Sequence, residues 1–386
     1  MKSGLIKTGI VIFKGILHII YAFLKLSPVD DHLVLFCSRQ STQLPLDFRL
    51  LQEEIDRRNE LLAKEGKPEH QLRYVSVTRY MGSGVKNYLV FLGKMLQSMR
   101  YLAKARVCIL DSYWPPVSLL HHKKQLKVIQ IWHAIGKIKK SGKASVGEKS
   151  GRSQQTAELL DMHRNYDYII AGAKIWNPFY CESFGCTEDK LLNYGLPRID
   201  YLLQTADANR EKFFRENPEL KEKKIILYAP TFRRNMESRW TEIIDAVDYE
   251  KYTLIIKNHP IQRIYGQRPE GDVYYFDEWK SMDLMAVADY VITDYSAIAL
   301  EAAVLNKPTL YWAYDYEEYL ENNGLNLDLY QVMPGCVFPD IDELMAFIDS
   351  GQYDMSLLEH YRKERLPEDL GQSTSKITDL IMEITG

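Results

Sequence analysis

The sequence lacks the features that mark several large classes of protein. Its five cysteines are odd in number and scattered, and none of their spacings matches a zinc site, which excludes a zinc module or a disulfide scaffold and favours free thiols in a reducing compartment. The net charge is only −3, so no global field recruits nucleic acid. No apolar run reaches the roughly 20 uninterrupted residues of an ordinary transmembrane helix.

The amino-terminal segment Met1–Leu26 is mostly apolar, with lysines interrupting each run. On a helix, Lys7, Lys14, His18 and Lys25 fall on one narrow stripe of an otherwise apolar surface. That layout is typical of a helix lying in the membrane interface beside anionic lipid, although a core helix with one solvated edge is the alternative. Because no small-residue cleavage site follows, we expect no secretory signal and a place at the cytoplasmic face of the membrane.

From Asp31 onward, short apolar strands alternate with amphipathic helices, which predicts parallel sheets with helices on both faces. The first series of predicted strands is His32–Ser38, Arg73–Val77, Val107–Asp111, Lys127–Trp132 and Tyr168–Ala171. The second series is Lys224–Tyr228, Thr253–Lys257, Val273–Phe276, Tyr290–Thr293 and Thr309–Trp312. Helices are predicted at Leu46–Lys64, Tyr88–Leu102 and Ala297–Leu305.

The 386 residues are too many for one ordinary core and suit two domains. The charged stretch Asp207–Lys224 separates the two series of strands and marks the expected seam. We therefore predict an α/β protein with a membrane-surface helix at 1–26 and two Rossmann-like domains at 27–205 and 206–386. Such domains leave a cleft at the carboxyl ends of their strands, where open α/β sheets bind ligands.

Four segments combine a strand end with polar side chains. The first, Gln130–Lys137, places His133 just past a strand, where an imidazole can accept a proton near neutral pH, although a lone histidine is often only structural. The basic run after it could meet phosphate or lipid headgroups; it comprises Lys137, Lys139, Lys140 and Lys143.

The second and third segments end in cations. In Leu227–Arg234, Thr231 and Arg233 follow a strand, and a guanidinium there suits phosphate oxygens, with a solvated loop as the alternative. In Leu254–Pro260, Lys257 and His259 follow the next strand. Because each predicted domain has a histidine at a strand end, a chance placement of both is less credible than a chance placement of one.

The fourth segment, Ala288–Leu305, runs from a buried strand through Asp294, Tyr295 and Ser296 into an Ala-rich helix. The N–H groups at a helix start attract anions, and Ser296 adds a hydroxyl, although it would also serve as a plain helix cap. Glu301 could reach a ribose or polyol hydroxyl pair, or lie on the surface. None of the four segments contains an Asp-x-Asp element, and we expect neither a metal nor a cofactor.

Taken together, these segments resemble the CDP-glycerol glycerophosphotransferase family of teichoic acid and capsule synthesis, from about Gln130 to Val337. The matching elements, in chain order, are Trp132-His133-Ala134, Gly195-Leu196-Pro197-Arg198, Tyr228-Ala229-Pro230-Thr231 with Arg233, His259-Pro260, Thr293-Asp294-Tyr295-Ser296-Ala297, Lys307-Pro308 with Tyr314-Asp315, and Pro334-Gly335. The family's pattern has a glycine at Ala134 and a second serine at Ala297, and these departures leave the polyol open among glycerol, ribitol and the polyol of another CDP-polyol donor.

The resemblance implies a GT-B fold in which the carboxyl-terminal domain holds a CDP-polyol donor and the amino-terminal domain holds the acceptor. A polyol phosphate, foremost glycerol 3-phosphate, would pass to an undecaprenyl-diphosphate-linked saccharide with release of CMP, in a short, primase-like enzyme. It implies catalytic roles for His133 and His259. Together with the positions of these residues at strand ends and at the helix start, it predicts substrate binding by Thr231, Arg233, Lys257, Asp294, Tyr295, Ser296 and Glu301. At Leu300-Glu301-Ala302 the sequence departs from the family's aspartate-bearing segment.

Two alternatives stay open from the residues alone. A nucleotide-sugar glycosyltransferase of the same fold would release CDP rather than CMP. A catalytically silent membrane adaptor would keep the fold and bind neither CDP-polyol nor lipid acceptor.

Overall fold

The computed structural model describes residues 2–149, 151–231, 239–257 and 273–386. The chain divides into two compact units. Unit 1 comprises Met1–Ala134, Ser141–Asp200 and Asp369–Gly386, and unit 2 comprises Ile135–Lys140 and Tyr201–Glu368. This division differs from the predicted ranges 27–205 and 206–386, because the last segment of the chain returns to unit 1 and a short early segment belongs to unit 2.

Unit 1 is built on six parallel strands. They are β1 Asp30–Ser38, β2 Arg73–Thr78, β3 Ala105–Leu110, β4 Lys127–Gln130, β5 Tyr168–Ile170 and β6 Leu191–Leu192. The helices between and after them are α1 Lys2–Leu24, α2 Leu46–Lys64, α3 Val85–Leu102, α4 Pro115–Leu119, α5 Gln154–Leu159, α6 Asn177–Phe184 and α7 Pro197–Glu216, the last of which continues into unit 2.

Unit 2 repeats the plan. Its strands are β7 Lys224–Tyr228, β8 Tyr252–Ile256, β9 Val273–Tyr274, β10 Tyr290–Thr293, β11 Thr309–Trp312 and β12 Val337–Phe338. Its helices are α8 Trp240–Ala246, α9 Ser281–Val287, α10 Ile298–Val304, α11 Tyr316–Asn323, α12 Leu329–Val332, α13 Ile341–Ser350 and α14 Met355–Arg365. The final helix, α15 Ser373–Thr385, lies in unit 1, where Asp200 accepts hydrogen bonds from the Ser373 and Thr374 N–H groups at 3.2 and 2.7 Å.

The strand order of each sheet reverses once, and a crevice is expected at the point of reversal. The order is β2-β1-β3-β4-β5-β6 in unit 1 and β12-β11-β10-β7-β8-β9 in unit 2. The connections therefore diverge between β1 and β3 in the first sheet and between β7 and β10 in the second. Ligands of doubly wound folds bind outside the carboxyl ends of the strands at such reversals.

The core of unit 2 lies on both faces of its sheet. Along β7, Ile226 and Tyr228 pack into one apolar cluster, whereas Ile225 and Leu227 pack into another on the opposite face. β8 is buried over its whole length. A parallel sheet covered by helices on both sides requires continuous apolar strands of this kind, because neither face meets water.

The predicted α/β class with parallel sheets is confirmed, and all ten predicted strands are present. Three of them have the predicted bounds, namely Lys224–Tyr228, Tyr290–Thr293 and Thr309–Trp312. The strands that the sequence did not reveal, β6 and β12, have two residues each and are too short to show a periodic pattern.

The amino-terminal helix α1 lies with its polar stripe against unit 1. Lys14 pairs with Asp161, the His18 ring lies 4.9 Å from the His121 ring, and Lys25 donates to the His121 carbonyl at 2.9 Å. The expectation that the stripe faces lipid is therefore wrong for these three residues. The stripe faces the protein because it finds a carboxylate, an imidazole and a carbonyl there.

The opposite side of α1 is apolar and exposed. Leu17 and Tyr21 are buried against unit 1, but a row of large apolar side chains is not; it comprises Val11, Ile12, Phe13, Ile16, Ile19, Ile20 and Phe23. Within the described residues, α1 is the one helix long and apolar enough to cross a membrane, by length and composition alone. Its neighbour α3 also exposes apolar side chains, among them Val85, Tyr88 and Leu89.

Candidate active site

His133 lies just beyond the carboxyl end of β4, on a strained turn. Trp132 before it has left-handed backbone with φ of 59°, which costs a bulky residue on the order of 1–2 kcal/mol. The Gln130 side chain holds the turn by accepting the Trp132 N–H at 2.9 Å. Strain of this kind persists where the surroundings enforce it, often at functional sites.

The hydrogen bonds of His133 define its tautomer. Its Nδ1 lies 2.8 Å from the Asp111 carbonyl oxygen and 3.2 Å from the Gln40 amide nitrogen, which is itself a donor and cannot bond to a protonated Nδ1. A carbonyl oxygen only accepts, so Nδ1 carries the proton and donates it to Asp111. The lone pair of the neutral ring is then on Nε2, which is the arrangement a general base needs. The ring also lies against Trp132, with centroids 4.1 Å apart.

The carboxyl group of Asp111 fastens the two strands at the reversal of the first sheet. Ser38, at the end of β1, donates to Oδ2 at 2.7 Å, and Ser112 donates to Oδ1 at 2.9 Å. Burial raises the pKa of Asp111 to about 6, against the opposing effect of these two hydroxyl groups. The backbone carbonyl that orients His133 therefore belongs to a residue fixed at both of its carboxyl oxygens.

Arg198, at the start of α7, holds the other side of His133. Its backbone N–H and Nε donate to the carboxylate of Asp47 at 2.8 and 2.9 Å, and Nη2 also contacts that carboxylate. Asp47 lies in the first turn of α2 and is fully buried. Nη1 of Arg198 donates to the His133 carbonyl at 3.2 Å. The Gly195–Arg198 element thus has a physical role, which is to clamp the histidine loop.

In unit 2, Asp294 joins the two strands at the reversal. Its carboxylate oxygens accept the Thr231 N–H at 3.0 and 2.9 Å and the Tyr295 N–H at 2.6 Å. Thr231 follows β7 and Asp294 follows β10, so one buried carboxylate holds both strand ends. Asp294 therefore positions these two loops, and its predicted substrate-binding role stays a prediction.

Tyr295 is fully buried and anchors the loop that follows β10. Its hydroxyl donates to Asp315 at 2.8 Å, and its ring stacks on Tyr319 with centroids 4.0 Å apart. Ser296, next in the chain, is half-buried, and its hydroxyl lies 3.4 Å from the Ile298 N–H at the start of α10. Ser296 is thus the residue of this trio that is least enclosed. Glu301 is half-buried on α10.

A lysine from the histidine segment belongs to this second site. Lys139 lies in Ile135–Lys140, which is part of unit 2, and its Nζ donates to the Thr231 hydroxyl at 2.9 Å. The segment is anchored by a β-bridge between Lys139 and Leu325 and by Asn326, whose side chain donates to the Lys137 carbonyl at 2.7 Å. One short stretch of chain therefore carries His133 in unit 1 and Lys139 in unit 2.

Lys257, after β8, points its ammonium group at main-chain carbonyls. Nζ donates to the Phe276 carbonyl at 3.1 Å and also to the Trp279 carbonyl. Burial lowers the pKa of Lys257. These bonds hold the loop after β9, while the predicted substrate-binding role of Lys257 stays a prediction. Arg233 and His259, the two other predicted site residues near these strand ends, lie outside the described residues.

Among the described residues, no three His, Cys, Asp or Glu side chains are grouped to hold a metal ion. The single Asp-x-Asp triplet of the sequence, Asp340–Asp342, is a helix cap: the Asp340 carboxylate accepts the Asp342 and Glu343 N–H groups at 2.9 and 3.1 Å.

Three residues that organise the first site escaped sequence reasoning, namely Gln40, Asp111 and Arg198. Gln40 and Asp111 closely follow the ends of β1 and β3, so the rule that found His133 also applied to them. Their importance follows from the point at which the strand order reverses, and the strand order cannot be read from the sequence. Arg198 belonged to a matched element but had no assigned task.

Comparisons with known proteins agree with this architecture. The family model described as CDP-Glycerol:Poly(glycerophosphate) glycerophosphotransferase matches residues 19–383. The chain is 30% identical over 384 residues to the teichoic acid ribitol-phosphate primase of Bacillus spizizenii, covering 96% of each protein. It is 31% identical over 264 residues to the teichoic acid glycerol-phosphate primase of Bacillus subtilis, covering 66% of this chain and 68% of that one.

Among solved structures, the wall teichoic acid polymerase TagF superposes with a TM-score of 0.72 at 18% identity, over 100% of this chain and 97% of that one. A TagF structure soaked with CDPG gives a TM-score of 0.73 at 18% identity, over the same shares of the two chains. At this identity the likeness shows the fold. With the family model spanning nearly the whole sequence, the chain belongs to the CDP-glycerol:poly(glycerophosphate) glycerophosphotransferase family.

Proposed function

We propose that this protein transfers a polyol phosphate from a CDP-polyol to a hydroxyl group of a membrane-bound, diphosphate-linked saccharide, as a priming step of wall polymer synthesis. The observation that carries the proposal is the pair of preorganised sites at the two strand-order reversals. One presents an imidazole oriented as a base, and the other presents a lysine, a hydroxyl and a fixed loop. Family membership gives the reaction class that these groups fit.

The reaction is a substitution at phosphorus. The acceptor oxygen forms a bond to the phosphorus that carries the polyol, and the bond from that phosphorus to the bridging oxygen of the diphosphate breaks. CMP leaves with the electron pair, and the acceptor proton passes to Nε2 of His133. An alcohol is a poor nucleophile at neutral pH, so a positioned base contributes roughly 10²–10⁴ in rate.

The donor belongs in this proposal to unit 2. Charge develops on the phosphoryl and leaving oxygens, and fixed cations and hydrogen-bond donors stabilise it. Lys139, Thr231 and Ser296 supply such groups around the reversal between β7 and β10. Arg233 and His259 are proposed to add to them. The role proposed for each residue follows from its position at a strand end. The proposal also includes a GT-B arrangement of the two units.

Glycerol 3-phosphate is the transferred group that the family resemblance favours, and ribitol 5-phosphate is the second candidate. The ribitol candidate rests on the match to a ribitol-phosphate primase over 96% of each protein, against 66% of this chain for a glycerol-phosphate primase. Both polyols offer the same phosphate chemistry to the site, so the choice depends on the rest of the polyol.

The membrane contact is proposed to run through the apolar side of α1 and not through its basic stripe. The stripe is occupied by unit 1, whereas the exposed isoleucines and Phe23 face away from it. A helix held along one side by the protein and apolar on the other suits a position in the plane of the interface, at the cytoplasmic face.

The reaction itself is tested by incubating the protein with CDP-glycerol or CDP-ribitol and a lipid-linked disaccharide, followed by mass spectrometry. We expect CMP and an acceptor heavier by one or a few polyol phosphates, with one polyol preferred. Release of CDP would replace the proposal with glycosyl transfer. Absence of both products, together with absence of CDP-polyol binding by calorimetry, would leave a silent adaptor.

Replacement of His133 tests the base. His133→Ala is expected to lower turnover by about 10²–10⁴ while CDP-polyol affinity stays near that of the wild type. The matched control is His133→Asn, whose amide nitrogen can replace Nδ1 as donor to Asp111 but offers nothing at Nε2. We expect it to fold normally and to be as inactive as the alanine variant. Turnover above about a tenth of wild type in either variant would make His133 structural. His259→Ala is expected to weaken donor binding and turnover together.

Replacements in unit 2 test the donor site. Lys139→Gln should weaken CDP-polyol binding by roughly tenfold to a hundredfold, since a charged hydrogen bond contributes about 1.5–3 kcal/mol. Ser296→Ala should weaken it by roughly fivefold, as for a neutral bond of about 1 kcal/mol. Lys363→Gln, at an exposed lysine paired with Glu359 on α14, is the charge-matched control. Unchanged calorimetric affinity in both site variants would place the diphosphate elsewhere.

The membrane contact is tested on the exposed side of α1. Changing Ile16 and Ile19 together to Asp should reduce sedimentation with phosphatidylglycerol vesicles at least about tenfold, because each buried isoleucine contributes about 1.5–3 kcal/mol. Leu61→Asp makes the same change at an exposed leucine on α2 and should have no effect. Wild-type sedimentation of the double variant would show that another surface binds the membrane.

A further inference from the structure

A cavity of about 360 Å³ opens in unit 1 between α1 and α3, and its lining does not include His133, Asp111 or Arg198. α1 lines it with Ile10 and Phe13, and α3 lines it with Tyr88, Leu92 and Met95. Its volume lies within the usual range of small-molecule pockets. Phe13 and Tyr88 are also exposed, so the cavity adjoins the apolar surface that the two helices present.

Two arginines stand at one side of this apolar cavity without an acidic partner. The guanidinium groups of Arg39 and Arg152 lie 5.6 and 5.8 Å from the centre of the Tyr113 ring. Neither forms an ion pair with a described residue, and none of the described lining residues is acidic. Lys14 lines the cavity as well, but it is paired with Asp161.

This pair of like charges opposes folding stability. Burial, and then the charge of Arg152, lower the pKa of Arg39, so the folded state holds two guanidinium groups in mutual repulsion. The Tyr113 ring, Tyr166 and the carboxyl group of Asp111 act on Arg39 in the opposite direction, but burial and the charge of Arg152 outweigh them. Arginine binds phosphates through a planar fork of donors, and a ligand with two phosphate groups would neutralise both side chains.

The arginines also adjoin the reacting end of unit 1. Arg39 precedes Gln40, whose side chain lies 3.2 Å from the His133 ring, and its own N–H donates to Ser112 at 3.0 Å. Arg39 and Tyr113 therefore follow the same two strand ends, β1 and β3, that orient His133. A phosphate group held by Arg39 would lie at the strand end that also carries Gln40, the neighbour of His133, and beside an apolar cavity.

We infer that this cavity binds the diphosphate and the first isoprenoid units of a polyprenyl-diphosphate lipid, with Arg39 and Arg152 on the phosphates and the α1–α3 side chains on the chain. The inference rests on the proposed function in one respect: it gives the lipid-linked acceptor of that reaction a place, from which its saccharide extends toward His133. Charge complementarity selects the diphosphate, and the adjoining exposed apolar surface selects a membrane lipid as its source.

The test is binding of the full-length protein to nanodiscs, without any donor. Phosphatidylcholine nanodiscs carrying a polyprenyl diphosphate are compared with nanodiscs carrying phosphatidylglycerol at equal charge, and with inorganic pyrophosphate in solution. We expect the wild type to prefer the polyprenyl-diphosphate nanodiscs at least about tenfold. Arg39→Gln with Arg152→Gln should abolish this preference and leave binding to phosphatidylglycerol unchanged, because the apolar side of α1 is intact.

Two controls keep the result interpretable. Arg57→Gln removes an exposed arginine on α2 that is paired with Glu54, and it should keep the preference. The melting temperature of the double variant should equal or exceed that of the wild type, because a repulsive pair is removed. If the double variant does not fold, Arg39→Lys takes its place. This variant keeps the charge but loses the planar fork of donors, and it should weaken the preference for polyprenyl-diphosphate nanodiscs. Persistence of the preference in the double variant, or equal binding to both nanodiscs, overturns the inference. Binding of pyrophosphate as tight as that of the lipid would show a soluble anion site and also overturn it.

Failure of this inference and failure of the proposed function look different. If no CDP-polyol is consumed but the arginine-dependent preference persists, the lipid site stands and the reaction does not. If transfer proceeds normally in the double variant with a lipid-linked acceptor, the reaction stands and the lipid diphosphate binds elsewhere.

Discussion

The buried ion pair between Asp47 and Arg198 is the interaction on which the first site depends. It joins the first turn of α2 to the first turn of α7, and Nη1 of Arg198 donates to the His133 carbonyl. Asp47 is fully buried, so removing Arg198 would leave a charge without a partner, which typically destabilises a protein by about 3–5 kcal/mol. The main-chain position of His133 is therefore tied to an interaction that also stabilises unit 1.

In unit 2, a carboxylate that accepts hydrogen bonds from main-chain N–H groups holds the loops at the reversal of strand order. Where strand order reverses, the loops after neighbouring strands part and leave N–H groups unpaired, and Asp294 accepts three hydrogen bonds from two of them. Asp111 and its two serines do the equivalent in unit 1. In both units the acceptors of an acidic side chain are occupied by the protein itself, so the acidic residues at these strand ends hold the loops, and the groups proposed to bind ligands are basic or neutral.

The features that could be predicted from the sequence are those that depend on local sequence pattern. Buried strands such as Tyr290–Thr293 show as apolar runs, and His133 and Ser296 follow strand ends, so the α/β class and one member of each site were predictable. What depends on tertiary packing was not. A helical wheel shows that Lys14 and Lys25 share a side of α1, but only the position of Asp161 and His121 shows that this side faces the protein. Similarly, Tyr295 reads as a site residue in sequence, yet its hydroxyl is committed to Asp315.

Three features of unit 1 lower its stability, and they adjoin one another in the chain or in space. Trp132 holds a left-handed backbone, Arg39 and Arg152 repel each other beside Tyr113, and α1 and α3 expose apolar side chains beside the same cavity. Stability alone gives no reason to keep any of them, because ordinary substitutions would relieve each one. Violations of local rules that persist together are expected where a ligand compensates for them. A lipid that carries two phosphates and an apolar chain would compensate for the arginine pair and for the exposed apolar side chains at once, whereas a soluble nucleotide or a bare membrane would compensate for only one of them.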